Sequence, residues 1–187
     1  SLHDALPIFM AALMSHRAQQ VVTLECRPAL AKAARENLAR NGIVNVRVVD
    51  VAAAEGARGL PGEAPFDAIL LDAPCTASGI VRRHPDVRWL RRETDIAQLA
   101  ATQARLLVAL WPLLRPGGHL LYCTCSVFRA EGDAQIQMFV AHNTDAVLQP
   151  SPGHLMPQSG ANANSVPDNQ SGDHDGFFYA LLSRRPA

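Results

Sequence analysis

The sequence has no excess of charge of either sign and no long apolar run, and each shortage excludes a class of protein. Its 187 residues contain 17 Lys and Arg against 17 Asp and Glu, so the formal net charge is zero. The whole surface therefore does not attract nucleic acid electrostatically, and any RNA contact must come from a local patch. No apolar run approaches the roughly 20 residues of a membrane span. The first residues also lack the charged, apolar and cleavage regions of a signal peptide.

Cysteines are few and are not spaced for a disulfide framework or a zinc site. The four lie at positions 26, 75, 123 and 125. Such spacing favours reduced thiols in a cytoplasmic protein without a metal site. Alternate residues of a strand point to opposite faces, which argues against a metal or redox pair of Cys123 and Cys125. Cys26 and Cys123 are expected to be small buried apolar residues.

The length and apolar content predict one globular domain. The chain is 48% hydrophobic and long enough to bury a core. Residues 1–9 show no continuity with the rest of the chain and are interpreted as a non-native or frame-edge leader. Residues 10–187 are then the domain that carries information about function.

Short apolar runs alternate with helical periodicity along this domain. Strands are predicted at Val21–Glu25, Val46–Asp50, Phe66–Asp72, His119–Cys123 and Gly176–Ser183. Helices are predicted from Pro28 to Asn41-Gly42, from Asp95 to Pro112 and around Ala134–Ala141, with loops at Gly56–Pro65, Thr76–Arg92 and Ser151–Asp175. This order predicts an α/β fold in which helices cover a parallel sheet.

Three predicted strands end in a carboxylate, namely Glu25, Asp50 and Asp72. A carboxylate at the carboxyl end of a strand can accept hydrogen bonds from ribose hydroxyls or an adenine amino group. A single acid there is more often a solvated turn residue. Three such acids across one sheet favour a nucleotide-like cofactor.

Two cysteines lie just beyond predicted strands, Cys75 in Asp72-Ala73-Pro74-Cys75 and Cys125 in Thr124-Cys125-Ser126. If the two strands are neighbours, both thiols face one crevice at the edge of the sheet. A thiolate is a strong nucleophile, and a nucleophile beside an acid suits attack on a cytosine ring. The alternative is that each cysteine is a small buried residue, which suits a polar turn less well.

A basic segment with one aromatic side chain lies after Cys75. Its members are Arg82, Arg83, His84, Arg88, Arg91 and Arg92, with Trp89 among them. Arginines beside an aromatic suit phosphate contact and base stacking in RNA binding. A solvated charged face with Trp89 packed inward explains the same pattern equally well.

Five motifs occur in an order that is characteristic as a set. They are Asp72-Ala73-Pro74-Cys75, Arg82-Arg83-His84-Pro85-Asp86, Arg115-Pro116-Gly117-Gly118, Thr124-Cys125-Ser126 and Asp175-Gly176-Phe177-Phe178-Tyr179-Ala180. Together they resemble the Sun/nucleolar-protein family of RNA cytosine-5 methyltransferases, most closely its bacterial members that modify 16S ribosomal RNA. The resemblance runs from about Val21 to the C-terminus.

The resemblance implies a Rossmann-like, class I sheet that uses S-adenosylmethionine, a 16S ribosomal RNA partner and a cytoplasmic location. Cys125 matches the nucleophile that adds to cytosine C6, and Cys75 matches the cysteine that helps eliminate the adduct. Asp72 matches the acid near the cytosine and the cofactor. Glu25 matches the ribose-binding acid, and Asp50 matches the acid near adenine.

The sequence also departs from the family pattern. The Gly-rich cofactor loop and the first strand should precede Met10 and are absent, as is the N-terminal RNA-binding domain. Glu25 stands where the family usually has Asp, and Val49 stands where it usually has Gly. Residues 10–187 are therefore expected to be a partial methyltransferase domain that lacks its first strand and binds the cofactor weakly alone.

Other functions remain compatible with these residues. The chain could be a non-catalytic RNA-binding remnant, which an absence of cofactor binding in calorimetry would favour, or a methyltransferase of another RNA. It could also be a DNA methyltransferase that uses Cys75, the cysteine after proline, as its nucleophile. The Thr124-Cys125-Ser126 motif argues against this last alternative.

Overall fold

The structure is a computed structural model that describes residues 10–50, 65–157 and 174–186. The chain divides into two compact units, Ser1–Glu63 and Ala64–Ala187. The interpreted leader at residues 1–9 lies outside the described residues, as does most of the two loops predicted at residues 56–65 and 151–175.

The described part of the first unit contains a helical turn at residues 10–15, two parallel strands and one longer helix. β1 (Val21–Glu25) pairs with β2 (Val46–Asp50), and Glu25 lies opposite Asp50. The helix α1 (Pro28–Arg40) begins at a proline, whose fixed φ suits the first turn. Its buried Ala31, Ala34 and Leu38 pack against Val48. The predicted strands and helix of this unit are confirmed.

The second unit is built on a mixed sheet. Its strands are β3 (Phe66–Asp72), β4 (Leu114–Thr124), β5 (Ala146–Leu148), β6 (Gly153–Leu155) and β7 (Phe177–Arg184). Their order is β3-β4-β7-β5, and β6 also pairs with β7. β3 and β4 are parallel, as predicted, whereas β7 runs antiparallel to β4, so the sheet is mixed and not parallel throughout. β5 and β6 escaped prediction because three residues are too few to show a period.

β4 begins earlier than predicted because it bulges. Leu114 lies opposite Phe66 and His119 lies opposite Ala68, so five steps of β4 match two steps of β3. The extra residues include Gly117 at φ +76°, a conformation that glycine adopts without strain. The motif Arg115-Pro116-Gly117-Gly118 is thus part of an irregular strand.

In the described part of this unit, the sheet is accompanied by three α-helices, α2 (Val87–Leu90), α3 (Glu93–Leu110) and α4 (Asp133–His142). α3 starts at Glu93 because the Asp95 carboxylate accepts a hydrogen bond from the Arg92 N–H at 3.0 Å. Among the described residues, Glu93–Leu113 is the one segment long and apolar enough to cross a membrane. Of this apolar window, 28% is buried inside the structure, and the buried side chains of α3 are Gln103, Leu106, Leu107 and Leu110, which share one helix face.

Candidate active site

Two parallel strands carry the two candidate thiols to one edge of the sheet. β3 and β4 are neighbours, and Asp72 at the end of β3 lies opposite Cys123 near the end of β4. Cys75 lies three residues beyond β3, and Cys125 lies directly after β4. The two Sγ atoms are 3.3 Å apart, with Cys125 buried and Cys75 half-buried. The structure therefore brings together two thiols that are fifty positions apart in sequence.

The contact between the thiols moves their pKa values in opposite directions. The hydrogen bond with Cys125 lowers the pKa of Cys75, and the N–H groups of Ala77 and Cys125 lower it further, while burial and Glu131 oppose this. The same hydrogen bond, together with burial, raises the pKa of Cys125 well above its ordinary value. The first proton therefore leaves from Cys75, and the Cys125 thiol donates to the thiolate that remains.

This arrangement predicts the pH dependence of thiol ionisation. In the native chain, the thiolate of the pair should form below the ordinary cysteine pKa of 9.0, because the pKa of Cys75 is lowered. In Cys75→Ala, the remaining thiol should ionise above 9.0, because burial and the charge of Asp72 still raise the pKa of Cys125. Alkylation by iodoacetamide across pH, located by peptide mass spectrometry at Cys75 in the native chain and at Cys125 in the variant, measures the two midpoints. Equal midpoints in the two proteins would contradict the proton order within the pair.

The third predicted catalytic residue, Asp72, is exposed at the end of β3. Its Oδ1 lies 3.8 Å from the Cys123 Sγ, and burial together with this carboxylate raises the pKa of Cys123. Cys123 is half-buried, whereas Cys26 is exposed. The expectation that Cys26 is buried is wrong, because it falls in the open turn between β1 and α1.

The predicted cofactor acids Glu25 and Asp50 belong to the first unit. Their strands are parallel and in register, so both residues end at the same edge of that two-stranded sheet. Glu25 Oε1 accepts hydrogen bonds from the Arg27 N–H and Nε, each at 3.0 Å. Burial raises the pKa of Glu25, but these bonds and the Arg27 charge outweigh it and the pKa is lowered. Glu25 is therefore held as a carboxylate.

A buried polar network behind the thiols was missed by the sequence reasoning. Its centre is Glu131, which is fully buried. The Glu131 carboxylate accepts hydrogen bonds from the Thr76 N–H at 3.0 Å, the Thr76 hydroxyl at 2.5 Å, the Gln103 amide at 3.1 Å and the Ser126 hydroxyl at 2.6 Å. No spacing signal could have found Glu131, because Arg129-Ala130-Glu131-Gly132-Asp133 reads as an ordinary polar turn.

The Asp175-Gly176 motif packs against the loop after Cys75. The Gly79 N–H donates to the Cys125 carbonyl at 2.9 Å, and the Gly176 N–H donates to the Gly79 carbonyl at 2.8 Å. A Cβ on Gly79 would lie 1.9 Å from the Gly176 carbonyl oxygen. The two backbones therefore touch so closely that only glycine fits at position 79, which explains how a motif fifty residues after Cys125 belongs to this site.

The predicted RNA-binding residues have different surroundings. Arg83 and Arg82 lie 2.9 and 3.6 Å from the carboxylate of the buried Asp175. The Arg91 Nε donates to the Thr76 carbonyl at 3.0 Å. Arg88 and Arg92 are exposed, and His84 is half-buried. Trp89 is 89% exposed, so the alternative in which it packs inward is wrong for the described structure.

Comparisons with known proteins indicate the same kind of methyltransferase as the sequence motifs. The chain matches the family model of the 16S rRNA methyltransferase RsmB/F over residues 7–183. It is 48% identical over 124 residues to the ribosomal RNA small subunit methyltransferase B of Salmonella paratyphi B and of Salmonella typhi. The aligned region covers 66% of this chain and 28% of each relative, so the chain spans less than a third of their length.

Solved structures show the same fold. NSun6 from Pyrococcus horikoshii, solved with SFG, is 27% identical with a TM-score of 0.68 and matches over 88% of this chain and 41% of its own. A methyltransferase homologue from the same organism is 28% identical with a TM-score of 0.66, over 89% and 53%. SMU.1697c of Streptococcus mutans, in complex with SAH, has a TM-score of 0.55 over 94% and 81%, and at 14% identity it supports the fold alone. The predicted Rossmann-like methyltransferase fold is confirmed.

Proposed function

Because the chain belongs to the 16S rRNA methyltransferase RsmB/F family, whose members depend on S-adenosylmethionine, we propose that it methylates C5 of a cytosine in 16S ribosomal RNA in the cytoplasm. One observation carries the cytosine-5 chemistry, namely the 3.3 Å contact between the thiols of Cys75 and Cys125. A paired thiol suits a reaction in which one sulfur attacks the ring and the other manages protons and release.

In the proposed reaction, Cys125 attacks the cytosine. Its sulfur forms a bond to C6, which makes C5 electron-rich enough to accept a methyl group. The proton that leaves Cys125 passes to the thiolate of Cys75, whose sulfur lies 3.3 Å away. A water molecule then takes the proton from C5, and the electron pair of that C–H bond re-forms the double bond between C5 and C6. The Cys125 sulfur leaves C6 and recovers its proton from the Cys75 thiol. Cys75, beside the leaving sulfur, assists this elimination.

The residues present fit the nucleoside end of S-adenosylmethionine, which supplies the methyl group when bound. Glu25 and Asp50 end two parallel strands in register, the position at which carboxylates accept hydrogen bonds from a ribose and an adenine. Glu25 is held as a carboxylate by Arg27, so it presents acceptors rather than a proton. We assign Glu25 to the ribose, Asp50 to the adenine, and Asp72 to the side of the cofactor nearest the cytosine.

A labelled-methyl assay tests this function. Unmodified 16S ribosomal RNA is incubated with the protein and S-adenosylmethionine that carries a labelled methyl group, and the product nucleosides are separated by mass spectrometry. Label in 5-methylcytidine supports the proposal. Label on another base or on another atom of cytosine would contradict it, and binding of RNA without cofactor binding in calorimetry would favour a non-catalytic RNA-binding protein.

An exposed aromatic side chain among arginines supports RNA contact by the 82–92 segment. Trp89 offers an accessible indole face, and base stacking on such a face is a common mode of single-strand binding. Arg88 and Arg92 are exposed on either side of it. We assign phosphate contacts to Arg82, Arg83, His84, Arg88, Arg91 and Arg92. Within that set, Arg82 and Arg83 also hold Asp175, so Arg88 and Arg92 give the cleaner test.

Replacing Arg88 and Arg92 together by glutamine should weaken RNA binding and reduce its salt dependence. Each lost single-strand phosphate contact lowers the slope of log K against log salt by about 0.7, so the pair should lower it by about 1.4. Fluorescence anisotropy of a labelled RNA over a salt series gives the slope. The control is Arg40→Gln with Arg105→Gln, which removes the same charge outside the segment. Identical slopes for the two double variants would indicate a merely solvated face.

A further inference from the structure

The buried carboxylate of Glu131 joins the two loops that carry the thiols. On one side it accepts two hydrogen bonds from Thr76, the residue after Cys75. On the other side it accepts one from Ser126, the residue after Cys125. All four groups that it contacts are donors to it, and the two hydroxyl contacts, at 2.5 and 2.6 Å, have the length of bonds to a charged oxygen. The network is therefore built for a carboxylate.

Glu131 is one of several contacts around these loops. The Gly79 N–H donates to the Cys125 carbonyl at 2.9 Å, and the Ser78 hydroxyl accepts from the Val127 N–H at 3.1 Å. The Gln103 amide donates both to Glu131 and to the Pro74 carbonyl at 2.9 Å, and Arg91 donates to the Thr76 carbonyl. Ala77, the next residue, has φ 60°, a left-handed conformation that an L-residue adopts only when its surroundings impose it. The Ala77 N–H in turn stabilises a thiolate on Cys75. A shift of Thr76 would therefore reach Cys75 through this constrained backbone.

We propose that Glu131 is a positioning residue whose carboxylate fixes the Cys75 loop against the Cys125 loop and so sets the contact between the two thiols. The carboxylate of Glu131 accepts its hydrogen bonds from Thr76, Gln103 and Ser126. It acts through Thr76 on one loop and through Ser126 on the other. The effect of Glu131 on catalysis rests on the proposed function, whereas its hydrogen bonds to the two loops do not depend on that function.

The negative charge of Glu131 gives this role a second, electrostatic signature. The titratable side chains on which the charge acts are Cys75 in the loop and Tyr122 on β4, and it raises the pKa of both. A glutamine at this position has the same shape and keeps an acceptor for the Thr76 N–H, but it lacks the charge. It should leave the thiol contact in place and let Cys75 ionise at a lower pH.

The test measures formation of the Cys75–Cys125 disulfide by diamide in the 187-residue chain. Diamide takes up two electrons and two protons to become the hydrazine as the two thiols lose them and form one S–S bond. Peptide mass spectrometry follows the cross-linked product and separates Cys125 from Cys123 by fragmentation. No RNA or S-adenosylmethionine is used, so failure of the proposed function would leave this readout intact.

Three variants give distinct expectations. Glu131→Gln should cross-link at close to the native rate and shift Cys75 alkylation to lower pH. Glu131→Leu should cross-link roughly ten- to a hundredfold more slowly, since a displacement of about 1 Å costs a positioned reaction this much. Gln135→Leu is the control, because Gln135 is buried nearby and donates to the Ala100 carbonyl without touching either loop. It should cross-link at the native rate.

Two results of the cross-linking test would contradict the positioning role of Glu131. All variants are compared at a temperature at which circular dichroism shows them folded. If Glu131→Leu is unfolded at every temperature, two other variants replace it. Ser126→Ala and Thr76→Val each remove one hydroxyl that donates to Glu131, and each should slow cross-linking. Native rates in these variants, or equal slowing in Gln135→Leu, would mean that Glu131 only stabilises the fold. In the active enzyme, Glu131→Leu should lower kcat with little change in the KM for RNA.

Discussion

Replacing Cys125 by alanine should abolish methyl transfer. In the proposed reaction the bond between this sulfur and C6 is what makes C5 reactive, and the neighbouring thiol of Cys75 is assigned to elimination rather than to attack. Cys75 is 3.3 Å away but lies beyond a different strand, and Cys123 lies beside Asp72. Methyl incorporation into 16S ribosomal RNA from labelled S-adenosylmethionine is the measurement. The uncatalysed rate should be the only activity left.

The matched substitution at Cys75 should have a different result. In Cys75→Ala, addition at C6 still occurs, with water in place of the Cys75 thiolate as acceptor of the Cys125 proton, but elimination stalls because the thiol that assists the leaving sulfur is missing. A covalent complex of RNA and protein should then accumulate and survive on a denaturing gel. Cys123→Ala, which changes the third cysteine of the second unit, should neither abolish transfer nor trap RNA. If Cys125→Ala traps the complex and Cys75→Ala does not, the two roles are reversed.

The parts of the site that sequence could predict are those tied to the ends of regular strands. Asp72, Cys75 and Cys125 come after apolar runs whose pairing is dictated by burial, and parallel neighbours must end at one edge. The 3.3 Å contact of the thiols results from that register together with the two short loops beyond it. The sequence therefore predicts that these three residues lie together at one edge of the sheet.

The parts that escaped prediction depend on tertiary contacts of irregular backbone. Glu131 lies in a polar turn, and its burial results from α3, the Cys75 loop and the end of β4 enclosing it together. The antiparallel direction of β7 is likewise a tertiary outcome, because an apolar run has the same appearance in either direction. The pairing of Arg83 with Asp175 needed a contact between residues more than ninety positions apart.

Gly79 is the glycine at which this irregular backbone leaves the least room for a side chain. Its carbonyl accepts from the Gly176 N–H and its own N–H donates to the Cys125 carbonyl, so it links the Asp175-Gly176 motif directly to the nucleophile's loop. A Cβ at this position would lie 1.9 Å from a backbone oxygen and 2.8 Å from the Gly176 Cα. A backbone cannot rotate away as a flexible side chain can, so one of the two loops must move.

Gly79→Ala should therefore lower both stability and activity. Forced overpacking of this kind costs about 1–3 kcal/mol, and a displacement of about 1 Å at the Cys125 loop should slow reactions that need the positioned thiols, the diamide cross-link as well as methyl transfer, about a hundredfold. Thermal unfolding and the rate of the diamide cross-link between Cys75 and Cys125 measure the two effects. Gly118→Ala is the matched control, since its Cβ would meet backbone oxygens of Arg115 and Asp67 at the other end of β4. It should lower the melting temperature and leave the cross-linking rate of the folded protein unchanged. A Gly79→Ala protein with native stability and native thiol chemistry would show that the contact with Gly176 does not hold the nucleophile's loop in place.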